Sequence, residues 1–204
     1  MVTEHNLVAT ATPSPGARPF FARLVRLLRA EVHGLQPRLL IAGFFARLLP
    51  SHSLGRLRTL VYRAGGLNIA ATSTILGPIT VWGEGKLGGR LRIGDHCVVN
   101  SPFLVDLSAN VRIGNHVAIG HGVTLVTANH GIGPANRRQG PTIPQPITIE
   151  DGAMVGAGVM ILPGVTLGRG CVVSAGSLVA TDIQPGKLVG GVPARVIRSL
   201  PDDG

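Results

Sequence analysis

The sequence is short of aromatic side chains. Phenylalanine, tyrosine and tryptophan make up 3% of its 204 residues. Any core must therefore be filled by aliphatic chains, which suits a narrow interior lined by Val, Ile and Leu. Cysteine is scarce as well: two residues, Cys97 and Cys171, are too few for a disulfide scaffold. Long apolar runs are missing. The longest in the leading part of the chain, Leu39 to Ala46, falls far short of the roughly 20 residues that cross a bilayer. The first residues are polar and acidic before they turn basic, which is not the pattern of a secretory signal. Acidic residues are few: 10, against 19 Lys and Arg. The resulting charge of +9 is uneven, because residues 1–63 hold nine Arg against Glu4 and Glu31. Those arginines are not interleaved with aromatics and belong to no recognisable nucleic-acid reader, so no nucleic-acid partner is expected.

What the chain does have is a period of six. From Ile149 the sequence divides into IEDGAM, VGAGVM, ILPGVT, LGRGCV and VSAGSL, ending at Val179. The first place is always aliphatic, and the fourth place is Gly152, Gly158, Gly164, Gly170 or Gly176. The fifth place is small or β-branched: Ala153, Val159, Val165, Cys171 and Ser177. Six fits neither a helix nor a lone strand. It fits a short strand and a turn, repeated, with glycine where the backbone must turn sharply. Such repeats stack into a parallel β-helix, each coil covering the apolar edge of the one before. Cys97 and Cys171 both stand at fifth places, which predicts inert packing.

The same lattice runs earlier, irregularly over 67–91 and clearly from Ile93 as IGDHCV, VNSPFL and VDLSAN. Val111 and Arg112 read as two surplus residues before it resumes at Ile113. After His130 it breaks into a stretch rich in Gly and Pro. The expected division is a flexible leader over 1–19, a basic helical extension over 20–66, a β-helix over 67–183 with an extruded loop at 131–146, and a tail over 184–204. In the extension, Phe20, Leu24, Leu27 and Leu28 share one helical face. Pro37 starts and Pro50 stops a second segment, and a third runs from Leu54 to Ala64. These helices either cap the open end of the β-helix, pack on a neighbouring subunit, or meet an anionic membrane surface through residues 20–64.

His130 is expected on the prism wall beside the loop. There its imidazole either serves as a general base or anchors the loop. Asp106 either orients His130, binds acceptor hydroxyls, or is a turn acid.

The ordered set VVNSPF, VTANHG, the extruded loop, PITIEDGAMVGAGVMILPGVTLG, AGSLVATD and GGVPARVIR resembles the hexapeptide-repeat acyltransferases, in particular their galactoside and maltose O-acetyltransferase branch. The resemblance implies a left-handed parallel β-helix, a homotrimer with inter-subunit sites, and acetyl-CoA as donor to a hydroxyl of a sugar or sugar-like acceptor, with no metal required. On the residues that match, it implies His130 as catalytic base and Asn100 as an active-site or acceptor contact. Met154, Ala157, Ala175, Ala180, Thr181, Arg195 and Arg198 then line the CoA groove. The chain departs from the family at Ala180-Thr181, where many members have Thr-Lys, and at Met154, where an aromatic is common. The expected location is cytoplasmic, at the inner face of the membrane if the basic helices meet it. Two alternatives share the prism: a non-catalytic scaffold, and a γ-carbonic-anhydrase-like zinc hydratase using His116 and His121, with His96 one coil earlier.

Overall fold

The structure, a computed structural model, describes residues 36–201. The leader 1–19 and the helical face of Phe20, Leu24, Leu27 and Leu28 lie outside the described residues. Helix α1 spans Pro37–Leu48 and helix α2 spans Gly55–Ala64. Proline begins α1, where its missing N–H costs nothing. Gly65 ends α2, and its N–H returns to the Val61 carbonyl. Tyr62 and Thr59 of α2 are buried, and α2 packs on strands Asn68–Ile69 and Thr74–Ile75 of the first coil.

From Asn68 the chain winds through three parallel sheets that form the faces of a prism. Face A carries Asn68–Ile69, Leu91–Ile93, Val111–Ile113, Ile147–Ile149 and Thr166–Leu167. Face B carries Thr74–Ile75, Val98–Val99, Ala118–Ile119, Met154–Val155 and Val172–Val173. Face C carries Ile79–Trp82, Phe103–Asp106, Val123–Leu125, Met160–Ile161 and Leu178–Val179. First-place side chains from all three faces point inward. Ile119, Leu125, Ile149, Ile161, Leu167 and Val179 are completely buried, and fifth-place Val159 and Cys171 join them. Burying an aliphatic chain contributes about 1.5–3 kcal/mol, so a continuous column can replace a wide core.

The fourth place is the corner. Gly152, Gly158, Gly164, Gly170 and Gly176 all adopt positive φ, between 61° and 83°. His96 and His116 hold the equivalent place with φ of 56° and 54°. They are therefore corner residues, and their rings stack at 5.0 Å. Polar side chains next to these corners tie one coil to the next. Asn115 Oδ1 accepts the Asp95 N–H at 2.9 Å, and Asp151 Oδ1 accepts the Asn115 N–H at 2.8 Å.

Two details differ from the sequence expectation. Val111 and Arg112 are paired strand residues opposite Leu91 and Arg92, so the two surplus residues fall in the turn after Asp106 instead. The excursion after the third coil is a β-hairpin of Ala128–Ile132 and Gln139–Pro144, which starts before His130. His130 thus stands within the hairpin and not on the prism wall. At the far end, Lys187–Gly191 and Ala194–Ser199 form an antiparallel hairpin that extends face B. The expected tail over 184–204 is thus mostly sheet.

Candidate functional site

The hairpin that carries His130 is rooted by a buried threonine. Thr127 is fully buried, and its N–H donates to Asp106 Oδ2 at 3.0 Å. Its hydroxyl donates to the Asp106 carbonyl and accepts the Ala109 N–H, both at 3.0 Å. Its own carbonyl accepts the Gln145 N–H at 2.7 Å, which closes the base of the excursion. The other Asp106 oxygen accepts the Ser108 N–H at 2.9 Å and the Ser108 hydroxyl at 2.7 Å. Burial pushes the Asp106 carboxyl up, but the hydrogen bonds from Ser108 and Thr127 outweigh it and hold it below its ordinary value. Among the described residues, neither oxygen bonds His130. Asp106 fastens the turn from which the hairpin grows.

Along the hairpin, His130 pairs with Thr142, and the register slips between His130 and Ile132. A bulge of this kind turns a side chain out of the regular alternation. The Asn129 side chain accepts the His130 N–H at 2.8 Å. The imidazole Nδ1 lies 3.3 Å from the Gly140 carbonyl. A carbonyl can only accept, so Nδ1 carries the proton and Nε2 keeps its lone pair. Gln139 Nε2 stands 3.5 Å from that Nε2. The ring is exposed to solvent. The sequence expectation named His130 but not its ring neighbours Gln139 and Gly140, which had been absorbed into a Gly- and Pro-rich loop. The β-branched pair Thr142-Ile143, facing Asn129 and His130, was the available signal.

The other expected residues fall into groups. Asn100 sits at the corner between faces B and C, its side-chain amide donating to the Ile119 carbonyl at 3.0 Å. Ala157 and Ala175 follow along the same edge, and both are exposed. The edge is tight: a Cβ on Gly156 would meet the Ala175 nitrogen at 2.6 Å. At Gly156, Ala157, Gly158, Ala175 and Gly176 this edge carries nothing larger than a methyl group, while Asn100 and His121 stand on its earlier coils. Met154 lies on face B, exposed, between Ala118 and Val172. Arg195 and Arg198 stand on the outermost strand of the same sheet, opposite Gly190 and Leu188. Their guanidinium groups donate to the carbonyls of Ala194 and Ser199 at 2.9 and 3.4 Å. Ala180 and Thr181 occupy the edge between faces C and A, the edge from which the His130 hairpin leaves. The expected site residues of one chain are thus spread over face B and the two edges that bound face C.

The histidines of the zinc alternative are occupied differently. His116 stacks on His96, and His121 Nδ1–H donates to the Ser101 carbonyl at 2.9 Å. Among the described residues, no group of three or more His, Cys, Asp or Glu is placed to hold a metal. Both cysteines are buried and free. Burial pushes the Cys171 thiol up to about 11 and raises that of Cys97 as well, which removes the reactive thiolate at neutral pH.

The family described as bacterial transferase hexapeptide (six repeats) matches residues 146–181. A galactoside O-acetyltransferase of Lactococcus lactis is 34% identical over 132 residues, which span 54% of this chain and 63% of the relative. Its Escherichia coli counterpart is 37% identical over 115 residues, spanning 56% of this chain and 57% of the relative. The chain therefore matches less than two thirds of the length of these curated relatives. Among solved structures, a hexapeptide-repeat acetyltransferase of Vibrio cholerae, complexed with acetyl-CoA, superposes with a TM-score of 0.69. It is 35% identical, and the match covers 85% of this chain and 91% of that one.

Proposed function

The chain belongs to the hexapeptide-repeat acyltransferases, and from that membership we propose that it moves an acetyl group from acetyl-CoA to a hydroxyl of a sugar or sugar-like acceptor. The observation that carries this reading is the His130 ring, whose Nδ1–H is directed at the Gly140 carbonyl so that Nε2 is the free base. Nε2 takes the proton of the acceptor hydroxyl while that oxygen attacks the thioester carbonyl carbon. The carbon–oxygen bond forms, the carbon–sulfur bond breaks, and the imidazolium returns its proton to the departing thiolate. The Gly140 carbonyl keeps the tautomer fixed and supports the imidazolium charge.

The groove residues fit the donor. The exposed methyls of Ala157 and Ala175 along a wall of backbone leave room for a thin pantetheine arm to lie close. Arg195 and Arg198 would place guanidinium groups beside nucleotide phosphates. Ala180 and Thr181 would line the turn near the nucleotide. Asn100, at the edge that leads into this wall, would contact acceptor or donor. The division of these residues between two edges favours a homotrimer, in which one copy's hairpin faces the groove of the next. Acetyl-CoA as donor favours the cytoplasm.

The test is thiol release from acetyl-CoA across a panel of sugars. His130→Ala should lower turnover by at least about 100-fold without moving the melting temperature. Normal turnover by that variant would sink the mechanism.

A further inference from the structure

Helix α1 is built inside out. Its small residues Ala42 and Ala46 face the protein and are buried. Its large apolar residues Leu40, Ile41, Phe44, Phe45 and Leu48 face outward and are 53–64% exposed. Spaced three and four apart, they form one broad stripe, with the Phe44 and Phe45 rings edge to face at 5.6 Å. Arg38 and Arg47 stand at the two margins of this stripe on the helical wheel. On α2, Leu57 and Leu60 are also exposed, beside Arg56 and Arg63. No acidic residue occurs between Glu31 and Glu84.

Charge decides what can cover this stripe. The described residues contain six carboxylates, and five already accept hydrogen bonds within the prism: Asp95, Asp106, Glu150, Asp151 and Asp182. The described residues of a second copy therefore have little unengaged negative charge to offer the arginine margins. At 12 residues, α1 is also much shorter than the roughly 20 that cross a bilayer. Among the described residues, no helix is long and apolar enough to do so. An apolar stripe with cationic margins on a short helix suits the plane of an anionic lipid surface.

We propose that α1 lies in the headgroup boundary of an anionic bilayer, with Leu40, Ile41, Phe44, Phe45 and Leu48 in the acyl layer. Arg38 and Arg47 rest against lipid phosphates, Arg38 while keeping one guanidinium nitrogen on the Ala64 carbonyl. The exposed Arg56 and Arg63 of α2 add to the attraction.

The experiment is sedimentation of the full chain with phosphatidylcholine vesicles and with vesicles containing phosphatidylglycerol. The molecular mass of the protein in lipid-free solution is measured in parallel. The wild type should sediment with the anionic vesicles and not with phosphatidylcholine alone. Phe44→Asp/Phe45→Asp should bind at least about tenfold more weakly, since two exposed rings no longer enter the acyl layer. Arg47→Glu/Arg56→Glu should weaken binding about fivefold or more per arginine. All variants should keep the wild-type mass. Failure of the wild type to bind, or full binding by the Phe variant, would overturn the proposal. A fall in mass of the Phe variant would overturn it too, because the stripe would then be a contact between copies. The readout does not depend on acetyl transfer, so an unsuccessful enzyme assay leaves it standing.

Discussion

Among single residues, Arg58 was the least legible. In the sequence it is one more arginine in a basic amphipathic helix. In the structure it is completely buried and donates to five backbone carbonyls. Its Nε reaches Ala46 at 3.1 Å, Nη1 reaches Ile75 at 3.0 Å and Ser53 at 3.3 Å, and Nη2 reaches Leu49 at 2.7 Å and Pro50 at 2.9 Å. The bonds join the end of α1, the inter-helix turn and the first coil. Periodicity cannot reveal this, because the partners are carbonyls, which have no signature in sequence. Arg58→Met leaves these carbonyls without a donor and should cost about 3 kcal/mol, a fall in melting temperature on the order of 10 °C. Arg58→Lys should recover only part, since an ammonium cannot span the same fan of acceptors. Asp106 is a second residue with a partner distant in sequence, Thr127, beside its near neighbour Ser108. Its folded carboxyl is held below the ordinary 3.8, so it stabilises the fold fully above that value. The contribution disappears as pH falls through the lower folded value. Asp106→Asn should therefore lower stability by about 1–3 kcal/mol at neutral pH. It should also flatten the acid limb of a denaturation series run below pH 4.

Elements were legible in proportion to how far burial controlled them. The first-place column and the fourth-place glycines could be read directly, because inward packing and positive φ each demand a residue type at a fixed interval. The hairpin could not. Its strands are exposed or half-buried along nearly their whole length, so no alternation of polar and apolar residues marks them. Its shape rests on backbone proximity instead. A Cβ on Gly140 would stand 2.5 Å from the Gly131 carbonyl oxygen, at the bulge beside His130. Gly140→Ala should push the strands apart and displace the carbonyl that fixes the imidazole. Turnover should fall about 10- to 100-fold, while the melting temperature changes little because the hairpin lies outside the core. Equal loss of both in a paired assay would contradict that separation.

For the whole molecule, the division of the site between two edges gives a prediction about assembly. If each site takes His130 from one copy and the Ala157 groove from the next, two inactive variants can repair each other. His130→Ala and Ala157→Trp should each be inactive alone. Co-expressed, they should regain activity at about one site in four, as random cyclic mixing requires. No recovery would place the whole site within one chain. The spacing of the coils carries a further consequence. Successive coils are offset by 24, 20, 36 and 18 residues, as the pairs Ile69–Ile93, Ile93–Ile113, Ile113–Ile149 and Ile149–Leu167 show. Yet the distance from face A to face B is six in every one of these coils, from Ile69–Ile75 to Leu167–Val173. All the variation in length is confined to the edge between faces C and A, where the His130 hairpin emerges. That edge is a port: chain can be added or removed there without shifting the register of a single coil. New acceptor chemistry can thus be grafted onto the prism, by natural lengthening or by design, while the scaffold that holds it stays unchanged.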